Sequence, residues 1–210
     1  MSITDIYQQF INGMLQTSWL ELIAVLAGIA SVWFSRKENI LVYPIGLINT
    51  TIYIYLSLKG QLYGEASVNL YYTIVSIYGW IWWSRVNQDT KQIALTIQFS
   101  NQKEWMQQIL FFVLFYTALF FALTWLKTAF APEAIPWADA FASATAYTGM
   151  WLMAKKKVES WYWWIATNIA SIPLYFIKGY MFTSVQFLIL FILAVAGLIS
   201  WHKKARYARD

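Results

Sequence analysis

Charged side chains are sparse along this chain, and the apolar stretches between them predict its elements. Charge-free runs occur at 22–35, 39–58, 66–84, 105–126, 140–154, 160–177 and 179–202. A helix needs about 20 residues, range about 17 to 25, to cross about 30 Å of hydrocarbon. Five of the seven runs reach that length as they stand. The first and fifth are short, but each follows one acid, Glu21 or Asp139, with a tryptophan two residues earlier, Trp19 or Trp137. Counting from the tryptophans restores a spanning length. It also places both acids in a first helical turn at the interface, where the helix dipole favours negative charge. The pattern predicts seven transmembrane helices. Ile3 to Leu15 is amphipathic and predicts a helix lying in the interface. Met1 to Thr17 lacks the basic start and apolar centre of a cleavable signal peptide.

Composition narrows the function classes. Hydrophobic residues make up 60% of the 210 positions, aromatic residues 20% and charged residues only 12%, about half the charged share of a soluble domain. Cysteine is absent and His202 is the sole histidine. Cysteine-based zinc or iron–sulfur sites and histidine-centred catalysis are therefore excluded, and no cofactor or metal is expected. The net charge of +5 comes from basic residues in the gaps between apolar runs rather than from a stripe, which points to a membrane and not to nucleic acid. With the N-terminus outside, inside segments hold 12 Lys/Arg and outside segments 3. The positive-inside rule then predicts the N-terminus out and the C-terminus in the cytoplasm.

Sliding the chain along itself exposes a repeat. An offset of 118 pairs Trp19 with Trp137, Glu21 with Asp139, Trp33 with Trp151, Gly79 with Gly197 and Trp83 with Trp201. Offset 119 pairs Asn49 with Asn168 and Lys59-Gly60 with Lys178-Gly179; offset 117 pairs Ser67-Val68-Asn69 with Ser184-Val185-Gln186. Spans one to three thus recur as five to seven. Two three-helix units joined directly would lie antiparallel, and the unmatched fourth span restores a common direction. The predicted fold is an all-α membrane protein of seven transmembrane helices, two parallel three-helix repeats joined by a linker helix in a 3+1+3 arrangement, with substrate at the repeat interface. The expected segments are an interfacial 1–17, a first repeat 18–85, a loop and linker helix 86–130, a second repeat 135–203 and a basic tail 204–210.

Polar side chains at membrane depth are costly, so they are the first site candidates. Asn49 and Asn168 lie near mid-span as one pair, and Asn69 and Gln186 form a second pair nearer the outer ends. Amides suit a polar, uncharged ligand group; the other reading is that they join helix to helix. Trp161, Trp164 and Asn168 fall at i, i+3 and i+7 on one helical stripe. Indole faces bind flat, cationic rings; the alternative for Trp161 is an interfacial belt, the reading also given to Trp80, Trp82 and Trp83 beside Arg85. All ten acids lie at span ends or in loops, which favours an uncoupled uniporter. Pro44 and Pro173 fall inside spans two and six as gating kinks or static ones.

The stretches Lys37-Glu38-Asn39, Tyr43-Pro44-Ile45-Gly46-Leu47-Ile48-Asn49, Gly60-Gln61-Leu62-Tyr63-Gly64, Ser76-Ile77-Tyr78-Gly79-Trp80 and Glu159-Ser160-Trp161 through Trp164 to Asn168 resemble the PnuC family of bacterial vitamin transporters over residues 18–203. The resemblance implies an inner-membrane homotrimer with a fold related to SWEET sugar transporters. It also implies facilitated diffusion of nicotinamide riboside, trapped inside by phosphorylation; relatives carry thiamine or riboflavin. Carried over by motif, Trp161, Trp164 and Asn168 match the family's Trp-x-x-Trp-x-x-x-Asn segment, and Asn49 its polar residue on the second span. Asn69 stands where many members have Gln, before Leu70-Tyr71-Tyr72, and Tyr72 joins the candidate set. Nicotinamide and thiamine rings are both flat and cationic, so thiamine is the alternative substrate. A phosphorylated substrate is disfavoured because no Arg or Lys lies at membrane depth. A membrane-embedded enzyme would need a nucleophile, base or metal at depth, and a receptor without transport is the third class.

Overall fold

The computed structural model describes residues 3–59, 63–86, 95–127 and 135–207. Gly60, Gln61 and Leu62 of the motif above, residues 87–94 of the polar loop before Lys103, and the last residues of the basic tail lie outside the described residues. Among the described residues there are eight helices: α1 (Ile3–Gln16), α2 (Trp19–Arg36), α3 (Val42–Lys59), α4 (Tyr63–Trp83), α5 (Gln102–Lys127), α6 (Pro136–Ala154), α7 (Ser160–Ile177) and α8 (Met181–Tyr207).

Local signals explain where they begin and end. The Ser18 hydroxyl caps α2 by accepting from the Glu21 N–H at 3.2 Å. Asp139, in the first turn of α6, accepts from the Ile135 N–H at 2.7 Å and pairs with Lys178 at 2.7 Å, so one carboxylate fixes the start of α6 and the end of α7. α2 and α6 end in the same way. After α2 the Asn39 N–H donates to the Phe34 carbonyl at 2.9 Å; after α6, 118 residues on, the Lys157 N–H donates to the Leu152 carbonyl at 3.0 Å. The residue at each bend, Glu38 or Lys156, is left-handed, with φ of 59° and 52°. These are two Schellman terminations built without glycine.

Neighbouring helices in sequence pack together within each half: α2 on α3, α3 on α4, α6 on α7 and α7 on α8. Between halves α2 packs on α8 and α4 on α6, the same relation with the halves exchanged. α5 packs on α6, and α1 lies against α8. Three helices, α2, α5 and α8, are long and apolar enough by themselves to cross a bilayer. Of the other five, α3, α4, α6 and α7 carry glycines, hydroxyls and amides, several of them buried between helices, which lowers their mean hydropathy. The core is rich in alanine on α6, where Ala140, Ala144 and Ala154 are fully buried, so that α5 and α7 approach closely.

Two expectations change. α3 begins at Val42, so Pro44 falls in its first turn, where the missing N–H costs nothing; only Pro173 is inside a helix. Trp83 does not belong to an interfacial belt. It is 4% exposed and its indole N–H donates to the Ala154 carbonyl at 3.2 Å, holding α4 to the end of α6. Trp80 is exposed, and Trp82 carries the Arg85 guanidinium over its ring.

Candidate functional site

Each half places one aromatic ring on a glycine of its third helix. In the first, Tyr43 on α3 lies over Gly79 on α4; in the second, Trp161 on α7 lies over Gly197 on α8, where a Cβ would stand 2.5 Å from the indole. The glycines are needed for this close approach. Tyr43 meets Trp83 edge-on at 5.2 Å and 88°, and Trp161 meets Trp201 edge-on at 5.5 Å and 89°. Trp83 and Trp201 then touch at 6.0 Å. The four rings make a continuous aromatic layer from one half to the other, and each ring of the first half lies 118 residues before its counterpart.

At the end carrying the lysine triplet, that layer is sealed by polar contacts between halves. The Trp201 indole donates to the Ser35 carbonyl at 3.0 Å, and the Ser35 hydroxyl donates to the Met153 sulfur, 118 residues away, at 2.9 Å. Glu38 binds Lys156, also 118 residues away, at 2.8 Å and Lys204 at 2.9 Å. Lys156 is 1% exposed, and its ammonium also sits 4.6 Å from the centre of the Trp83 ring. Burial by itself would raise the Glu38 carboxyl pKa, but the hydrogen bonds and charges of the two lysines outweigh it and hold that carboxyl below its ordinary value. Beside this cluster Lys157 pairs with Glu104 at 2.7 Å, and the Ser100 N–H and hydroxyl donate to Glu159, docking the segment before α5 onto the turn between α6 and α7.

A cavity of about 120 Å³ lies between the halves, next to the aromatic layer. The first half contributes Ser31, Val32, Ser35, Val42, Tyr43 and Ser76. The second contributes Met150, Met153, Trp161, Trp164 and Asn168, with Phe187, Leu190 and Ala194 from α8. Eight of these form four pairs at offset 118: Val32 with Met150, Ser35 with Met153, Tyr43 with Trp161, and Ser76 with Ala194. Trp164 lies flat against Gly149, whose missing side chain leaves room for the ring; a Cβ there would be 3.3 Å from three indole atoms. Asn168, 3% exposed, lies one turn further along α7. The volume is below the roughly 300 to 1,000 Å³ of sites that enclose drug-sized ligands, so a ligand of that size enters only if the walls move apart. A larger cavity of about 380 Å³ lies between α1 and the start of α8, lined by Gln9, Asn12, Gln16 and Glu21 among others, and holds none of the candidate residues.

The structure brings three of the seven predicted residues to the central cavity: Trp161, Trp164 and Asn168. Tyr72 stands behind them, its ring 6.4 Å from Trp164 and 6.1 Å from Tyr147. Asn49 lies outside the cavity lining; its amide donates to the Ala24 carbonyl at 2.7 Å and joins α3 to α2. Asn69 and Gln186 are half-buried and also lie outside the lining. The reason is register. Asn49 matches Asn168 only at offset 119, whereas the contacts around them follow 118. At 118 the partner of Asn49 is Thr167, which bonds Thr145 at 2.9 Å and likewise joins the second helix of its half to the first. One residue is about 100° around a helix, enough to turn a side chain from the cavity to a neighbouring helix. The lining residues that depth alone misses, Tyr43 and Ser76 above all, are found by applying offset 118 to Trp161 and to the face opposite it.

Comparison with known proteins places this architecture. A family model described as "Nicotinamide mononucleotide transporter" matches residues 18–203. The nicotinamide riboside transporter PnuC of Escherichia coli K12 is 26% identical over 208 residues, covering 90% of this chain and 87% of that protein. PnuC of Neisseria mucosa is 28% identical, covering 89% of this chain and 73% of its own length. The riboflavin/roseoflavin transporter RibM of Streptomyces davaonensis is 22% identical, covering 90% and 86%. In fold, the chain superposes on the crystal structure of the vitamin B3 transporter PnuC with a TM-score of 0.72 at 23% identity, over 98% of this chain and 90% of that one. The relatives are named as transporters, and the chain belongs to the PnuC family of membrane transporters.

Proposed function

We propose that this protein is a uniporter that equilibrates nicotinamide riboside across the bacterial inner membrane, with phosphorylation in the cytoplasm trapping the vitamin. The observation that carries this reading is the cavity between the halves, where two indoles and a buried amide from α7 meet. A flat cationic ring suits the Trp164 face, with Tyr72 backing it, and the Asn168 amide suits a carboxamide. Asn49, in this reading, braces α3 and does not touch ligand, and Asn69 and Gln186 stand apart from the ring site. No Lys, Arg, Asp or Glu is among the lining residues. That favours the uncharged sugar of a riboside over a nucleotide phosphate, and diffusion over ion coupling. RibM indicates that relatives of this chain handle other vitamins, and thiamine, with its own cationic ring, is the second candidate.

The same reading includes a 3+1+3 arrangement related to SWEET transporters, with two parallel repeats about a pseudo-two-fold axis along the membrane normal. Supporting it are the exchanged packing of α2 on α8 and α4 on α6, and the contacts of Ser35 with Met153 and Glu38 with Lys156 at offset 118. Positions that touch their own repeat partners are what a two-fold axis produces. The lysine-rich end is cytoplasmic by its charge, and the assembly is a homotrimer, to be read by native mass spectrometry.

Purified protein in liposomes tests the transport reading. Labelled nicotinamide riboside is expected to reach equal concentrations inside and out, and to accumulate only when a nucleoside kinase and ATP are enclosed. Equilibration of thiamine but not of the riboside would exchange the substrate; equilibration of neither would remove the transporter reading.

A further inference from the structure

The walls of the central cavity occupy matching positions in the two halves but carry different chemistry, the first richer in hydroxyls. Where the second half presents Met153, Trp161 and Ala194, the first presents Ser35, Tyr43 and Ser76. Each exchange replaces a thioether, an indole or a methyl group by a hydroxyl. Two of the three first-half hydroxyls are also poorly committed to protein. Ser35 donates to a thioether sulfur, a weak acceptor. Among the described residues, Tyr43, 1% exposed, has no hydrogen-bond partner for its hydroxyl. A buried, unpartnered hydroxyl costs stability and calls for an explanation in a native structure.

We infer that the first-half wall is a polyol subsite: Ser35, Tyr43 and Ser76 receive the hydroxyls of a sugar, while Trp164 and Asn168 on the opposite wall hold the ring. This rests on the transport reading above and deepens it. The site then takes a flat ring joined to a hydroxylated sugar, always in one orientation, with the sugar toward α2, α3 and α4. A ring without a sugar uses half the site, and thiamine, with a single hydroxyethyl group, uses little more. Because the empty cavity is smaller than a nucleoside, the small outward movement that admits ligand is also what frees the Ser35 and Tyr43 hydroxyls from their present packing.

The test is binding to the purified full-length protein by calorimetry, with two probes that share a ring: nicotinamide riboside and 1-methylnicotinamide, which lacks the ribose. Ser76→Ala installs the residue the second half already carries at this position, and Tyr43→Phe removes one oxygen, so neither should unfold the protein; a thermal melt checks this. Each substitution is expected to lower the ratio of riboside affinity to methylnicotinamide affinity by about five- to tenfold, the worth of one ligand hydrogen bond. Wild-type thiamine affinity should resemble that of methylnicotinamide. An unchanged ratio in both variants, with wild-type protein binding the riboside, overturns the polyol subsite and leaves the transport reading standing. Equal losses for the two probes also overturn it, because the hydroxyls would then serve the ring or the fold. Binding of neither probe by wild-type protein overturns the transport reading and the subsite with it.

Discussion

Trp161 and Trp164 stand one turn apart on α7 but in different surroundings, and the difference separates binding from folding. Trp161 is 1% exposed and wedged on Gly197 and Trp201, whereas Trp164 is half-buried, with one face on Gly149 and Tyr72 nearby. Trp164→Ala and Asn168→Ala are therefore expected to abolish riboside binding with the melting temperature nearly retained. Trp161→Ala leaves a hole among packed rings and should cost about 3–5 kcal/mol of stability as well. Calorimetry and thermal melts on the three variants check this, and riboside affinity at the wild-type level in both Trp164→Ala and Asn168→Ala would place the ring site elsewhere. At this scale the sequence is legible where chemistry and face coincide, as in the stripe of Trp161, Trp164 and Asn168. It is less so for Asn49, because membrane depth marks a polar residue as costly without saying which helix face compensates it. Trp83 shows the same ambiguity in reverse: beside Arg85 it reads as a lipid-facing ring, and only the offset linking it to Trp201 points inward.

The helices are the most legible level, since apolar runs between charges place α2 to α8 near their observed limits, and amphipathicity places α1. Charge spacing places the ends, and the packing of α3, α4, α6 and α7 against one another then covers the polar groups that lower their hydropathy. The joints between elements are harder to read, because Glu38 and Lys156 look like ordinary loop residues. In the fold they tie the α2–α3 turn to the α6–α7 turn and, through Lys204, to the end of α8. Removing one partner strands a buried ammonium, so Glu38→Gln should cost about 3 kcal/mol, the low end for a buried pair because Glu38 retains some water contact. The folded carboxyl has its pKa below the ordinary 4.5, so the unfolded chain takes up this proton more readily than the fold does. The contribution of the pair is complete above about pH 4.5 and declines as the pH falls through the lower folded value. Glu104, held below its ordinary value in the same direction by Lys157, adds to this limb despite its own partial desolvation. Melting temperatures between pH 3 and 7 should show a shallower acid decline in Glu38→Gln than in wild type; parallel curves would mean that the ion pair holds nothing.

Taken whole, the molecule brings α2–α4 and α6–α8 together along a central seam, sealed by polar contacts at the lysine-rich end and hollow just beyond it. If substrate passes along that seam, the seal must open in each cycle. The chain contains no cysteine, so Ser35→Cys with Met153→Cys, whose side chains already touch at 2.9 Å, would create a single cross-linkable pair across it. Oxidation of this double variant is expected to stop riboside flux in liposomes, and reductant to restore it, with neither single variant responding. Flux that continues through the cross-linked protein would place the moving parts elsewhere. The repeat is legible in the sequence at this scale because tryptophans, glycines and acids recur in order, while the offset of 118 stands out only where contacts such as Ser35 with Met153 and Glu38 with Lys156 follow it.

The meeting of Glu38 with Lys156 also bears on how such a chain diverges. These positions are counterparts, yet they carry opposite charges and bind each other. A protein built from two copies of the first half would set glutamate against glutamate at the seam, and one built from two copies of the second would set lysine against lysine. At this point of the seam the charge of α2's end is therefore answered by the opposite charge at α6's end, and neither side could take the other's place.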